Sequence, residues 1–144
     1  MDVARTMFQE RGYIATSLQG IAVQTGIVHP ALYRYFRSKE HLFSEVFDEV
    51  ENEIIAVTRS GSPDFESAVC VANARYFEYW ASSRRILEAF QEARVVSEEF
   101  RDRAEQGRSM ITERFVRYLT KVHGPLPDKK RTTDVVAALV RMTE

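Results

Sequence analysis

At 144 residues the chain suits one compact domain or a small domain fused to a larger one. It is 44% hydrophobic and 28% charged with few glycines and prolines, which excludes a disordered chain and favours long regular elements. A net charge of −1 excludes a protein that coats nucleic acid by bulk charge, while leaving room for one local DNA-binding patch.

The N-terminal stretch MDVARTMFQERGY lacks the basic start and apolar core of a signal peptide. Instead Val3, Met7 and Phe8 line one face of an opening helix, and Gly12 stops it. Thr16-Ser17-Leu18-Gln19 reads as a capping box on Thr16, with Ser17 a rival cap. Leu18, Ile21 and Ala22 begin a short second helix, which Gly26 ends in a left-handed conformation. A third short helix opens at His29-Pro30, with Pro30 where a missing N–H costs nothing, and ends near Phe36. Ser38 starts a long fourth helix, with Phe43, Val46, Phe47, Val50, Ile54 and Val57 at steps of three and four. Ser60-Gly61-Ser62-Pro63 breaks it and marks a domain hinge.

Beyond the break, Phe65, Val69, Ala72, Tyr76 and Tyr79 predict a fifth helix that Ser82-Ser83 interrupts. Its Cys70 is the lone cysteine, so no internal disulfide forms; a buried core position in a reducing cytoplasm is expected. Ile86, Leu87 and Phe90 predict a sixth helix, and Phe100 to Val122 a seventh that Gly124-Pro125-Leu126-Pro127 ends. Val135, Val136, Leu139 and Val140 begin an eighth. No alternating run with hairpin turns is found, so the fold class is all-α. No apolar run approaches the ~20 residues of a membrane span, so no membrane partner is expected.

Residues 17–36 hold two short helices about a tight turn. Ala22 is small where the second helix crosses, Gly26 sits at the turn, and Ile21, Ile27 and Leu32 supply apolar faces that lock the pair. That geometry projects one helix into a DNA major groove, although an ordinary helical hairpin has the same local pattern. Tyr33 and Tyr35 lie about 200° apart around a helix, so they cannot share a face. Leu32 and Phe36, four apart, share the inward one. At least one phenol therefore points outward, where it can donate to a phosphate oxygen.

The stretch FQERGYIATSLQGIAVQTGIVHPALYRYFRSKEHLFSEVFDE resembles the N-terminal domain of the TetR family of bacterial transcription regulators. Phe8, Glu10-Arg11-Gly12-Tyr13, Thr16-Ser17, Ile21-Ala22, Gly26-Ile27 and Leu32-Tyr33-Arg34-Tyr35-Phe36-Arg37-Ser38-Lys39-Glu40 stand in register with the family pattern. The resemblance implies a three-helix helix-turn-helix DNA-binding domain at residues 1–45 and a helical effector-binding and dimerisation domain at 46–144. It implies that His29, Pro30 and Ala31 face base edges, that Tyr33 and Tyr35 grip phosphates or reach bases, and that Lys39 contacts a phosphate; Arg34 and Arg37 suit phosphate contacts or equally solvated charges. Thr16 and Ser17 match the cap of the supporting helix, where backbone N–H groups also meet a phosphate.

The chain departs from the family in three ways. Val28 stands where a capping side chain is usual, which weakens the start of the third helix by about 1 kcal/mol. His29 replaces the usual lysine or glutamine, and imidazole can donate to guanine N7 or a phosphate. Residues 1–58 carry five basic against eight acidic side chains, three charges negative, most of the acids on the fourth helix. An N-terminal arm is expected to be missing, and at the C-terminus either the end of the dimer-forming helix pair is missing or the member is short.

In the second half an apolar or aromatic effector is expected against Tyr76, Tyr79, Trp80, Phe90, Met110 and Phe115, although each of these also suits a helical core. Taken with the resemblance, this makes the chain a dimeric, cytoplasmic repressor released from a palindromic operator in double-stranded DNA by a small molecule. The alternative is a helical adaptor whose helix-turn-helix has lost DNA binding. An enzyme is not expected: His29, His41 and His123 are too scattered for a local metal site, and no phosphate loop, nucleophile motif or cofactor motif is found.

Overall fold

The computed structural model describes residues 1–27, 29–59 and 64–142, with His29 and Phe65 described by backbone alone. Val28 and the Ser60-Gly61-Ser62-Pro63 hinge lie outside the described residues. Two compact units form, Met1–Val96 and Ser97–Glu144. All regular structure among the described residues is helical. The functional division expected at residue 45/46 falls within a helix of the first unit.

Helix α1 (Asp2–Ala15) is interrupted at Gly12, where the sequence places its stop. Gly12 has φ 78°, ψ 173°, a conformation open to glycine, so the helix breaks and then resumes for one short turn. Its inward face is Ala4, Met7 and Phe8, with Tyr13 beyond the break. Val3, expected on that face, is exposed because Ala4 takes its place three residues before Met7.

Helix α2 (Leu18–Thr25) is capped by Ser17, whose Oγ accepts from the Gly20 N–H at 3.0 Å. The capping box on Thr16 is not formed. Thr16 is buried, and its hydroxyl donates to the Gly12 carbonyl at 2.7 Å and the Met7 carbonyl at 3.2 Å, holding the break in α1. Gly26 adopts φ 67°, and the Ile27 and Gly26 N–H groups return to the Ala22 and Val23 carbonyls. That double bond pattern satisfies carbonyls that a helix end leaves open, and it sets the turn into α3 (His29–Tyr35). Ile21, Ala22 and Leu32 are buried between the two helices' neighbours, while Ile27, expected to lock them, is 45% exposed because the turn carries it outward.

Helix α4 (Lys39–Thr58) begins at Ser38, whose side chain accepts from the His41 N–H. Its Leu42, Phe43, Val46, Phe47 and Val50 are buried at helical spacing. An aromatic column joins three helices: Phe43 packs edge-on to Phe8 at 4.6 Å and against Tyr13 at 4.9 Å. Phe47 then stacks face to face on Phe90 at 3.9 Å.

Helix α5 (Phe65–Val96) is one helix, not two. The Ser82 hydroxyl turns back to the Tyr79 carbonyl, so serine serves the helix instead of breaking it. Its inward face at the C-terminal end is Ile86, Ala89 and Ala93. Cys70, expected to be buried, is exposed, because this helix leaves its N-terminal half largely uncovered within the first unit.

The second unit pairs α6 (Glu98–His123) with α7 (Lys129–Arg141). Helix α7 starts earlier than its apolar residues suggest, because Asp128 caps it by accepting from the Arg131 N–H. Val136 is buried, while Val135 and Leu139 are exposed.

Candidate nucleic-acid interface

The outward side of the α2–α3 pair is built by subtraction. Leu32 faces in, while Tyr33 is 46% exposed and Tyr35, the last residue of α3, is 64% exposed. Both phenols are thus presented, where spacing alone required only one. The Arg34 guanidinium lies 5.4 Å from the Tyr35 ring and donates to its hydroxyl at 3.3 Å, so cation and phenol form one exposed donor group. Pro30 is exposed and Ala31 half-buried at the start of α3. The His29 side chain lies outside the described residues. Phe36, expected inward, is half-buried with its ring edge-on to His41 at 5.8 Å.

Two residues assigned to DNA are turned elsewhere. The Thr16 side chain faces the protein interior, as described, so only its backbone remains for a ligand; the neighbouring Ser17 is exposed. Lys39, at the start of α4, sends its ammonium back to the end of α1. Nζ donates to the Tyr13 carbonyl at 2.9 Å and the Ile14 carbonyl at 3.4 Å, and it lies 4.3 Å from the Tyr13 ring centroid. An ammonium carries three N–H groups, of which the two carbonyls take two.

Polar ties that the sequence pattern does not announce fasten this head to α5. Arg5 forms a two-pronged pair with Glu53 at 2.6 and 2.8 Å, and the Tyr79 hydroxyl donates to the same carboxylate at 2.6 Å. The cluster links α1, α4 and α5. Arg5 hydrogen bonding holds the Glu53 carboxyl down at about 2, against 4.5 ordinarily, despite the opposing effect of burial. Tyr79 is raised, first by burial and then by Glu53. A depressed carboxylate contributes stability above its unfolded value, and that stability is lost as pH falls from about 4.5 to about 2. Solvent reaches the pair, with the Glu53 side chain 41% exposed. After that screening, Glu53→Gln is expected to cost about 1 kcal/mol at pH 6 and almost nothing once the pH is below about 2. Urea titrations of both proteins across this range measure the difference.

The expected effector residues are divided between the two units. Tyr76, Tyr79, Trp80 and Phe90 lie on α5 in the first unit, Met110 and Phe115 on α6 in the second. Tyr79 is tied to Glu53, Phe90 is stacked on Phe47, Tyr76 meets Phe77 edge-on at 5.9 Å, Trp80 is 40% and Met110 66% exposed, and Phe115 is half-buried. Two open clefts mark the first unit. One, of about 470 Å³, is polar and lies between α1 and α5, with Arg11, Gly12, Arg85 and Glu92 on its wall. The other, of about 450 Å³, is lined by Ala56, Val57, Arg75, Glu78, Tyr79 and Ser82. Tyr79 is the one residue of the expected set in either.

Residues 1–46 match the profile of the bacterial regulatory proteins of the tetR family, over the segment that holds the Ser17 cap, the Gly26 turn and the exposed face of α3. The N-terminal head is thus similar to the DNA-binding head of the tetR family. The TetR-type head is 39% identical over 54 residues to the HTH-type transcriptional regulator AcrR of Shigella flexneri, covering 38% of this chain and 25% of that protein. It is 44% identical over 46 residues to the HTH-type transcriptional repressor KstR2 of Rhodococcus jostii, covering 32% of this chain and 22% of the relative. The matched stretch thus spans about a quarter of these relatives' length. Across nearly the whole chain the fold is similar to a transcriptional regulator (TerR/AcrR family) from Aquifex aeolicus VF5, with a TM-score of 0.67 at 21% identity, covering 98% of this chain and 80% of that one. It is also similar to the probable transcriptional regulatory protein RHA5900, with a TM-score of 0.57 at 24% identity, covering 97% and 82%.

Proposed function

We propose that the chain is a DNA-binding transcriptional regulator, acting as a homodimeric repressor on a palindromic operator. The observation that carries this reading is the exposure of Tyr33, Arg34 and Tyr35 along α3, with Arg34 bonded to Tyr35, while Leu32 anchors the helix. Phenol and guanidinium donors suit phosphate oxygens, and the N-terminal residues Pro30 and Ala31, with His29, enter the groove. Ser17 and the Thr16 backbone supply contacts from the supporting helix, and Lys39 a further phosphate contact. The overall charge of the head gives little nonspecific attraction, so binding rests on this face and on shape.

Release requires an effector that binds the non-DNA-competent form better, since equal binding shifts nothing. Its place in this reading is the cleft beside Tyr79 in the first unit. An aromatic molecule with one polar group suits Ala56 and Val57 beside Tyr79 and Arg75.

Selection of duplexes from a random-sequence library, followed by anisotropy titration, tests the DNA reading. Two half-sites about one helical turn apart are expected in the selected pool. Tyr33→Phe, which removes one hydroxyl, is expected to weaken the selected duplex about fivefold to tenfold with unchanged stability. No enrichment of any sequence, with binding insensitive to salt, would instead favour a helical adaptor.

A further inference from the structure

The break in α1 is held from two sides by opposite charges. On its N–H side, the Glu92 carboxylate of α5 accepts from the Ile14 amide at 3.0 Å. On its carbonyl side, Lys39 donates to Tyr13 and Ile14. The Thr16 hydroxyl closes the loop onto the Gly12 carbonyl. Gly12 gives the carboxylate its room: a Cβ there would sit 2.5 Å from Glu92 Oε1 and 2.6 Å from Oε2. Resuming a helix after a break leaves N–H groups without helical partners, and an anion at that end is favoured. Glu92 supplies one from a helix 78 residues away in sequence.

We infer that Glu92 is a positioning residue for operator binding, an inference that rests on the DNA reading above. Lys39 lies four residues beyond the end of α3, and its ammonium reads the position of the Tyr13 and Ile14 carbonyls. Glu92 fixes the same peptide segment from the other side. The register of α5 therefore passes through the Ile14 amide and the Tyr13 carbonyl to the start of α4, and so to α3. The polar cleft between α1 and α5 opens onto this latch, since Gly12 and Glu92 both line it.

The test compares Glu92→Ala and Glu92→Gln in the full chain, with Glu88→Ala as a control on the same cleft wall. The probe is a duplex selected by the unaltered chain from a random library. Removing a negative charge alone would tighten DNA binding in all three variants. The latch predicts otherwise: Glu92→Ala weakens the duplex about tenfold, and Glu92→Gln, whose amide oxygen still accepts from Ile14, stays within about threefold of the unaltered chain. Amide hydrogen exchange at Ile14 is expected to speed up about tenfold in Glu92→Ala and little in Glu92→Gln. Glu92→Ala binding as tightly as the unaltered chain, or Glu92→Gln binding as weakly as Glu92→Ala, overturns the inference while the DNA reading stands. If no duplex is selected, the DNA reading fails, and exchange at Ile14 still decides the latch: unchanged exchange in Glu92→Ala overturns it.

Discussion

Phe43→Ala is expected to destabilise the first unit by about 4 kcal/mol, the cost usual for deleting a buried phenylalanine. Phe43 is wholly buried on α4 and touches rings from two directions, Phe8 and Tyr13 on α1 and Phe47 one turn along its own helix. The cavity would open at the junction of α1 and α4, where backbone from both helices must move together to refill it. Small domains have about 5–15 kcal/mol in all, so the loss leaves a large unfolded fraction. Urea denaturation reads it as a lower midpoint with an unchanged slope. Phe43→Leu, which keeps most of the volume, is expected to lose only about 1–2 kcal/mol. A loss below about 1.5 kcal/mol in Phe43→Ala would mean that the aromatic column is not the core of the head.

The sequence made α4 legible because one face of a 3.6-residue period is buried from Leu42 to Val50, and burial is what the spacing reports. The α2–α3 turn was legible for a different reason: Ser17 and Gly26 are residues whose local chemistry ends or begins a helix without help from distant chain. Where distant chain decides, the pattern misled. Thr16 looked like a cap, but the break at Gly12 claims its hydroxyl. Ser82-Ser83 looked like an interruption, but a serine that bonds back to the preceding turn is compatible with a continuous helix. Val3 and Cys70 are apolar residues at plausible spacing that stay exposed in the first unit. Glu92 was invisible, since no local rule connects an acid on α5 to an amide in α1. For the same reason the partner of Phe90 was not legible: an aromatic on a helix signals burial somewhere, and its ring stacks on Phe47.

Lys39→Ala is expected to show whether one ammonium serves both the fold and the DNA. Its contacts with the Tyr13 and Ile14 carbonyls and the Tyr13 ring tie α4 to α1. Losing them leaves two carbonyls at a helix end to water and removes a cation from a position the helix dipole favours. A fall in melting temperature of about 3–5 °C follows, corresponding to about 1 kcal/mol. If the remaining N–H meets a phosphate, affinity for the selected duplex drops about 100-fold near 0.1 M salt, because a charged contact and the placement of α3 are lost together. The slope of log affinity against log salt should also shrink by about 1, the signature of one phosphate contact. Lys39→Arg separates the two roles. A guanidinium keeps the charge and so the salt slope, but its planar fork cannot repeat the ammonium's seat over the Tyr13 ring and against both carbonyls, so stability is only partly restored. A lower melting temperature with an unchanged salt slope in Lys39→Ala would make the lysine a tie within the head and leave phosphate recognition to Tyr33, Arg34 and Tyr35.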